Sequence, residues 1–193
     1  MTDDPVVPAR PRRSAVIVPV PLPGELEAMR AATVTVARLG VPAHVTLLVP
    51  WLEPRAIEAG DIAALRRIAA AEPVFDVQLG VVGTFAADVE QPGTVYLAPD
   101  PTEPFVRLTR AIWAAYPDRP PYGGAFETVV PHLTVADDVA RHAEVEAIAA
   151  TMLPLRRRIS EAWLIVEGDD DRWARRARLA LGPSNAGPAR ASL

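Results

Sequence analysis

Two short apolar segments, separated by roughly half of the 193-residue chain, constrain the fold more than any other feature. The first reads AHVTLLVP at residues 43–50, and the second reads PHLTVAD at residues 131–137. Both are rich in β-branched and other apolar residues, which favours buried β-strands. Side chains alternate between the faces of a strand, so the His and the Thr of each segment share one face. The repeat therefore predicts two equivalent strands, each with an imidazole and a hydroxyl side by side.

The rest of the chain alternates predicted strands and helices around these two segments. The order strand, helix, motif strand, helix, strand occurs once in the first half and returns in the second. We therefore predict an α+β fold of two pseudo-symmetric lobes, each a β-α-β-α-β half, with a central cleft. The expected boundaries are a disordered arm at 1–13, a single domain at 14–182 with lobes at about 14–90 and 91–182, and a disordered tail at 183–193.

Periodicity and turn residues predict the individual elements between the motifs. One helix is expected to open at Pro23 and to end near Gly40, and Asp61 is expected to cap the next helix. Residues 83–93 are predicted to form a loop, and residues 155–166 one long strand.

The repeated His and Thr supply the groups that a phosphodiester displacement requires. A base must act on the attacking oxygen and an acid on the leaving oxygen, and imidazole can serve in either role near neutral pH. The two oxygens lie roughly in line through phosphorus, so the two histidines must flank the phosphate. The threonine hydroxyls can hold charge on the non-bridging oxygens. The candidate catalytic residues are therefore His44, Thr46, His132 and Thr134, and the scheme requires no metal.

The paired motifs, HVTL and HLTV, resemble those of the 2H phosphoesterase superfamily, which includes the 2′-5′ RNA ligase-like proteins and the cyclic phosphodiesterases. The lead-in VPAHVTLLVPW, the segment TVYLAPDP and the YGGAF loop are also similar to that family. The resemblance covers roughly residues 14–182. It implies the two-lobed fold and hydrolysis of a 2′,3′-cyclic phosphate or a 2′,5′-linked phosphodiester, or the reverse ligation. It also implies an RNA end or a small cyclic or 2′,5′-linked nucleotide as the substrate, with no cofactor.

Three alternatives to a phosphodiesterase stand at this point. In the first, the His and Thr of each motif only satisfy each other's hydrogen bonds in a core, which fits a single motif better than a pair. The second is a module that binds nucleotides or RNA ends without turnover, although a binder has no need of a matched acid and base. A metal centre is disfavoured because catalytic zinc usually takes three protein ligands. The run Asp169–Asp171 lacks the glycine and distal glutamate of a calcium-binding loop, so a polar turn is expected there. We predict no metal site, and we expect the third histidine, His142, at the surface of a helix.

Three aromatic residues are weaker candidates for substrate binding, because they lie near the motifs or in predicted loops and could stack on a base. They are Trp51, Phe85 and Tyr122, and packing is the alternative for each. Arg156 and Arg158 share one face of a predicted strand, where they either face solvent or contact a phosphate.

Composition narrows the class of partner. The formal net charge of −4 argues against a general nucleic-acid coat protein, which needs a basic footprint. All twenty basic residues are arginine, and without lysine the chain cannot ligate through a lysyl adenylate. There is no cysteine for a disulfide or a thiolate nucleophile. No apolar run reaches membrane-spanning length, and residues 1–13 lack the apolar core of a signal peptide. We therefore expect a cytoplasmic monomer with no membrane partner.

Overall fold

Eight strands form two four-stranded antiparallel sheets in the computed structural model, which describes residues 11–87, 92–126 and 128–183. The strands are β1 (Ser14–Pro19), β2 (His44–Leu48), β3 (Phe75–Phe85), β4 (Thr94–Asp100), β5 (Leu133–Ala136), β6 (Leu155–Ile159), β7 (Glu161–Glu167) and β8 (Trp173–Ala180). The α-helices are α1 (Gly24–Thr33), α2 (Thr35–Arg38), α3 (Ala59–Ala71), α4 (Glu103–Ala115) and α5 (His142–Ala149). Short 3₁₀ turns occupy Pro54–Ala56, Pro121–Gly124 and Val139–Arg141. The predicted α+β fold is confirmed.

The two sheets correspond strand for strand. The first has the order β2-β1-β7-β8 and the second the order β5-β4-β3-β6. Each motif strand is the edge strand of its sheet, and β2 lies against β5 where the sheets meet. The inner strand β1 is buried along almost its whole length, which accounts for its unbroken apolar run. The pseudo-symmetry predicted from the repeat is therefore present in the sheets.

The sheets do not coincide with the two halves of the chain. Strand β3 comes from the first half but pairs with β4 and β6 of the second sheet. Strands β7 and β8 come from the second half but complete the sheet of β1 and β2. The predicted division into lobes at 14–90 and 91–182 is therefore wrong as a description of the sheets. The predicted strand at 155–166 is also wrong, because it breaks at Ser160 into β6 and β7, which belong to different sheets.

The chain crosses between the two sheets at residues 72–74, before β3, and at Ser160, between β6 and β7. Residues 181–182, which follow β8, are hydrogen bonded to both crossings. The amide of Gly182 donates to the carbonyl of Glu72 (2.8 Å), and the amide of Val74 donates to the carbonyl of Gly182 (3.1 Å). The amide of Leu181 donates to the carbonyl of Ser160 (2.9 Å). A side chain at Gly182 would collide with a backbone carbonyl of α3, so only glycine permits this approach. We call these residues, 72–74, 160 and 181–182, the seam.

The described ends of the domain are attached to it. Arg13 forms an ion pair with the buried carboxylate of Glu167 (3.2 Å), and Arg12 pairs with Asp171 in the turn before β8. Arg12 and Arg13 therefore do not belong to a free arm, contrary to the prediction for 1–13. The rest of that arm, and the predicted tail beyond residue 183, lie outside the described residues.

Two helix predictions are corrected by the structure. The single helix expected between Pro23 and Gly40 is interrupted at Val34, which is extended (φ −94°, ψ 118°). Its neighbours Thr33 and Thr35 are also β-branched, and such residues lose side-chain freedom in a helix. Helix α3 begins earlier than expected, with Glu58 as its N-cap and Asp61 at the third helical position of a capping box.

Helices α1 and α4 each pack against the motif strand that belongs to the other half of the chain. Helix α4 lies against β2, and helix α1 lies against β5. An edge strand leaves backbone carbonyls without a partner in the sheet. The hydroxyl of Thr109 in α4 donates to the carbonyl of Leu47 (3.0 Å). The hydroxyl of Thr33 in α1 shares its proton between the carbonyls of Met29 (2.8 Å) and Val135 (3.0 Å). We call Thr33 and Thr109 the helix threonines. Among the described helices, none is long and apolar enough to cross a membrane.

Candidate active site

The two motif histidines are anchored in the same way. The Nδ1 of His44 lies 2.7 Å from the carbonyl oxygen of Pro42, and the Nδ1 of His132 lies 2.8 Å from that of Val130. A carbonyl oxygen only accepts, so each Nδ1 carries a proton and donates it. In the neutral imidazole the proton therefore resides on Nδ1, and Nε2 has a free lone pair. The equivalent carbonyl, two residues before the histidine, fixes the tautomer in both motifs.

The fold brings the two motifs together. Strands β2 and β5 are neighbours across the junction of the sheets, and both histidines are half-buried. The charge of His132 acts on His44 and contributes to the lowering of its pKa. The four predicted catalytic side chains therefore lie on two strands that face one junction. The expected separation of the imidazoles, roughly 5 to 8 Å across a bound phosphate, stays a prediction.

Thr46 links His44 to the loop before the second motif. Its hydroxyl lies 3.1 Å from the Nε2 of His44, to which it donates, and it is also hydrogen bonded with the hydroxyl of Tyr122. Tyr122 has a left-handed backbone (φ 53°), a conformation that costs energy for a residue with a side chain. Its amide donates to the carbonyl of Val49 at 2.6 Å, which holds the loop against β2. The structure thus places Tyr122 beside the first motif, and its contact with a substrate base stays a prediction.

His132 lies against two aromatic rings. The ring of Phe85 is 4.8 Å from the imidazole and that of Tyr96 is 5.5 Å from it, measured between centroids. The two aromatic rings stack on each other at 4.4 Å. Tyr96 crosses the strand at Gly83, where a Cβ would lie 2.6 Å from its ring, so the arrangement requires glycine there. Phe85 is thus at the site, although it lies at the end of β3 and not in the predicted loop at 83–93.

Sequence reasoning missed Tyr96 and Phe126. Tyr96 stands opposite Thr134 in the register of β4 and β5, so the same sheet face carries both. The TVYL run would have identified Tyr96 only with knowledge of that register. Phe126 lies 5.5 Å from Tyr122, edge to face, and 62% of its surface is exposed. The sequence already placed Phe126 in the YGGAF segment, two residues after a Gly-Gly pair, so its position in a loop could have been predicted.

Trp51 is not positioned to bind a substrate. Its ring is 1% exposed and packs edge to face against Tyr116 at 5.1 Å. A buried indole offers no free face to a base, so the predicted contact is wrong for this residue. Its amide donates to the carbonyl of Ser14, which turns the chain back toward β1 after the motif strand. Trp51 therefore stabilises the core behind the first motif.

A buried arginine shares a hydrogen-bond acceptor with His44 and was missed by sequence reasoning. Arg30 of α1 is 2% exposed and donates to the carbonyls of Val41 (3.1 Å) and Pro42 (2.9 Å). The carbonyl of Pro42 thus accepts from both the guanidinium and the imidazole. Arg30 follows Leu26 by one helical turn, so it falls on the inward stripe of the helix. That position was the available signal.

Both histidines are less basic than in water. Burial is the main cause of the lowered pKa of His44, which falls to about 4, and the charges of Arg30 and His132 lower it further. The Pro42 hydrogen bond acts in the opposite direction. Burial also lowers the pKa of His132, while its bond to Val130 raises it. Burial raises the pKa of Tyr122, so its phenol stays protonated and can donate.

The remaining candidates lie apart from the motifs. Arg156 and Arg158 are exposed on β6 and line a groove of about 600 Å³ with Asp76, which lies 3.5 Å from Arg158. His142 opens α5, with its Nε2 3.6 Å from a carboxylate oxygen of Glu146. Over the described ranges, no group of three or more His, Cys, Asp or Glu side chains stands close enough to hold a metal ion.

Comparisons with known proteins bear on the fold and the family of the chain. The structure of TT0787 from Thermus thermophilus is similar at a TM-score of 0.58 and 20% identity, over 89% of this chain and 98% of that one. E. coli LigT in its apo form is similar at a TM-score of 0.53 and 20% identity, over 90% of this chain and 99% of that one. The complex of E. coli LigT with 3′-AMP is similar at a TM-score of 0.50 and 19% identity, over 89% of this chain and 99% of that one. At these identities the likeness shows a shared fold. No curated protein sequence matches the chain. The model of the 2′-5′ RNA ligase superfamily matches residues 18–171, most of the chain, and the protein therefore belongs to that superfamily.

Proposed function

We propose that the protein is a metal-independent phosphodiesterase that acts on 2′,3′-cyclic phosphates or on 2′,5′-linked RNA or nucleotides. Membership of the superfamily supports phosphoesterase-type activity. The observation that carries the finer proposal is the matched anchoring of two imidazoles, each with Nδ1 tied to the carbonyl two residues before it. Such a pair leaves the Nε2 atom of each imidazole free to accept or to donate a proton, which is the requirement for one base and one acid.

The proposed reaction on a 2′,3′-cyclic phosphate is a single in-line displacement. A neutral histidine takes a proton from water as the water oxygen bonds to phosphorus. The bond from phosphorus to one ribose oxygen breaks, and the second histidine, as imidazolium, gives its proton to that oxygen. The product is a phosphate monoester beside a free ribose hydroxyl. Exchange of protons with water restores both histidines, and the reverse sequence would form a phosphodiester.

The aromatic rings around the motifs support a nucleotide substrate. Phe85 and Tyr96 lie beside His132, while Tyr122 and Phe126 lie beside the first motif. Aromatic faces stack on any base and contribute roughly 1 to 3 kcal/mol per base. LigT, whose fold this chain shares, is crystallised with 3′-AMP, ATP and NADP⁺. We propose that a base of the substrate stacks on one of these two aromatic pairs.

The alternative, a nucleotide-binding module without turnover, is favoured by one observation. The pKa values of both motif histidines are lowered, so neither imidazole is charged at pH 7 in the free protein. Catalysis needs one imidazolium, and a bound phosphate can restore it because an adjacent negative charge raises the pKa of a histidine. The two functions therefore differ in whether substrate binding recharges one histidine.

A substrate panel followed by phosphorus NMR tests the proposal. We expect turnover of 2′,3′-cyclic nucleotides or 2′,5′-linked dinucleotides, with cyclic dinucleotides included to define the substrate, and we expect the rate to survive excess EDTA. Loss of activity with EDTA and recovery on addition of zinc or manganese would replace the proposal with a metal-dependent mechanism. Binding of these nucleotides without any new phosphorus signal would establish the alternative.

A further inference from the structure

The two motifs share the anchoring of their histidines, and a charged side chain contacts the anchor of the first. Arg30 reaches from α1 to the carbonyl of Pro42, which is the anchor of His44. The corresponding anchor of His132 is the carbonyl of Val130, and in the part of the chain that the structure describes no arginine donates to it. Burial lowers the pKa of His132, and the bond to the Val130 carbonyl raises it. The charge behind the first motif therefore distinguishes the two histidines.

We propose that Arg30 is a positioning residue that breaks the symmetry of the site: bonded to the carbonyl of Pro42 that anchors His44, its guanidinium keeps the imidazole of His44 uncharged, which makes His44 the base and leaves His132 as the acid. This division of roles rests on the proposed function. It deepens that proposal, because matched motifs alone do not decide which histidine accepts the proton.

Two physical effects act in the same direction. The guanidinium occupies part of the accepting capacity of the Pro42 oxygen, which weakens the support that this oxygen gives to a charged imidazole. The guanidinium is also a buried positive charge next to His44, and a like charge disfavours the imidazolium form. Arginine stays protonated even when buried, so this effect persists across the working pH range.

The charges around this pair are few. On α1, Glu27 lies 3.7 Å from the guanidinium, and Asp137 at the end of the second motif also acts on it. From β5, the charge of His132 reaches His44. Glu27 and Asp137 partly balance Arg30, so removing either carboxylate should strengthen the effect of Arg30 on His44.

The test is an NMR titration of the three histidine rings in the full chain, without substrate. In the wild type at pH 6, the ¹⁵N spectrum should show His44 neutral with its proton on Nδ1. Arg30→Met, which keeps much of the length but removes the charge and the donors, should raise the pKa of His44 by about one unit, the order expected for loss of a nearby buried charge. The ring signals of His142 on α5, which lies apart from the motifs, serve as the internal reference.

A second variant covers the case in which Arg30→Met fails to fold. Glu27 is partly exposed, and Glu27→Gln keeps its shape while removing one of the two carboxylates that act on the guanidinium. It should lower the pKa of His44 and move the acidic limb of kcat/KM to lower pH, whereas Arg30→Met should move that limb to higher pH. If Arg30 had only a structural role, the two variants would not shift the pKa of His44 and the acidic limb of kcat/KM in opposite directions.

The outcomes separate this inference from the proposed function. Turnover by the wild type together with an unmoved His44 in both variants would overturn the role of Arg30 alone. The opposite shifts of His44 without turnover of any substrate would overturn the proposed function and the assignment of His44 as base, and would leave only the electrostatic effect of Arg30. A charged His44 in the wild type at pH 6 would overturn the inference directly.

Discussion

The two motif strands are alike in backbone and unlike in surroundings. In each, Nδ1 of the histidine donates to the carbonyl two residues earlier, and a helix threonine donates to the carbonyl that follows the motif threonine. The first motif is backed by a buried arginine and its threonine contacts a tyrosine, whereas the second lies against two stacked aromatic rings. The shared features hold the histidines in place, and the differences decide what each histidine does.

The largest effect is expected from removing either imidazole. His44→Ala and His132→Ala should each lower kcat by about 10² to 10⁴, the usual contribution of a general acid or base. The double variant should lose much less than the product of the two, because residues that act as a unit are not additive. His142→Ala is the matched control and should keep the wild-type rate. Full activity of either motif variant would end the two-histidine mechanism.

The motif threonines should differ in a way that the histidines do not. Thr46→Val and Thr134→Val should each slow turnover by about 10- to 100-fold, somewhat less than the loss of a strong donor to a developing oxyanion. Thr46→Val should cost more, because it also removes the contacts with His44 and Tyr122. Tyr122→Phe removes only the far end of that chain and should have a smaller effect. Equal rates for the two valine variants would show that the contact with Tyr122 has no part in turnover.

The helix threonines test the shared part of the comparison. Thr109→Val leaves the carbonyl of Leu47 without its donor in a buried setting and should lower the free energy of unfolding by roughly 1 to 3 kcal/mol. Thr33→Val should cost less, because Thr33 is only half-buried. The control is Thr151→Val, which removes an exposed hydroxyl bonded to a helix-end carbonyl. Denaturant unfolding measures all three, and an unchanged stability of Thr109→Val would refute the role given to this contact.

The smallest effect is a displacement of the pH optimum. The rate constant kcat/KM should rise with pH through the pKa of His44, about 4, and fall through that of His132, which lies below the ordinary value for histidine. The optimum for the free enzyme should therefore lie on the acidic side of neutrality. Bound phosphate raises both pKa values, so the optimum of kcat should lie at higher pH. A kcat/KM profile whose acidic limb lies above a pH of about 6.5, the ordinary pKa of histidine, would contradict the assignment.

The motif strands and the overall fold could be predicted because alternation along a strand is a local property. His44 with Thr46, and His132 with Thr134, share a face by backbone geometry alone. The break at Ser160 could not be predicted in the same way, because no glycine or proline marks it in residues 155–166, while the pairing partner changes from β3 to β1. Which strand pairs with which is a non-local property.

The positions of the residues around the motifs were hard to predict for the same reason. Trp51 follows the motif closely in sequence, which suggests a place at the site, but the turn after β2 directs it into the core. Tyr96 was missed because only the register of β4 and β5 places it beside His132. Arg30 was missed although its place on the inward stripe of α1 was visible, since an inward arginine is unusual enough to be overlooked.

The seam has a consequence for the order in which the chain acquires its structure. The second sheet uses strands that are contiguous in the chain, from Phe75 to Ile159, while the first sheet joins β1 and β2 to β7 and β8. A growing chain can therefore close the sheet of His132 while the sheet of His44 still waits for its last two strands. We therefore expect His44, although it is synthesised first, to reach its final position after His132, when residues 181–182 bond to the two crossings.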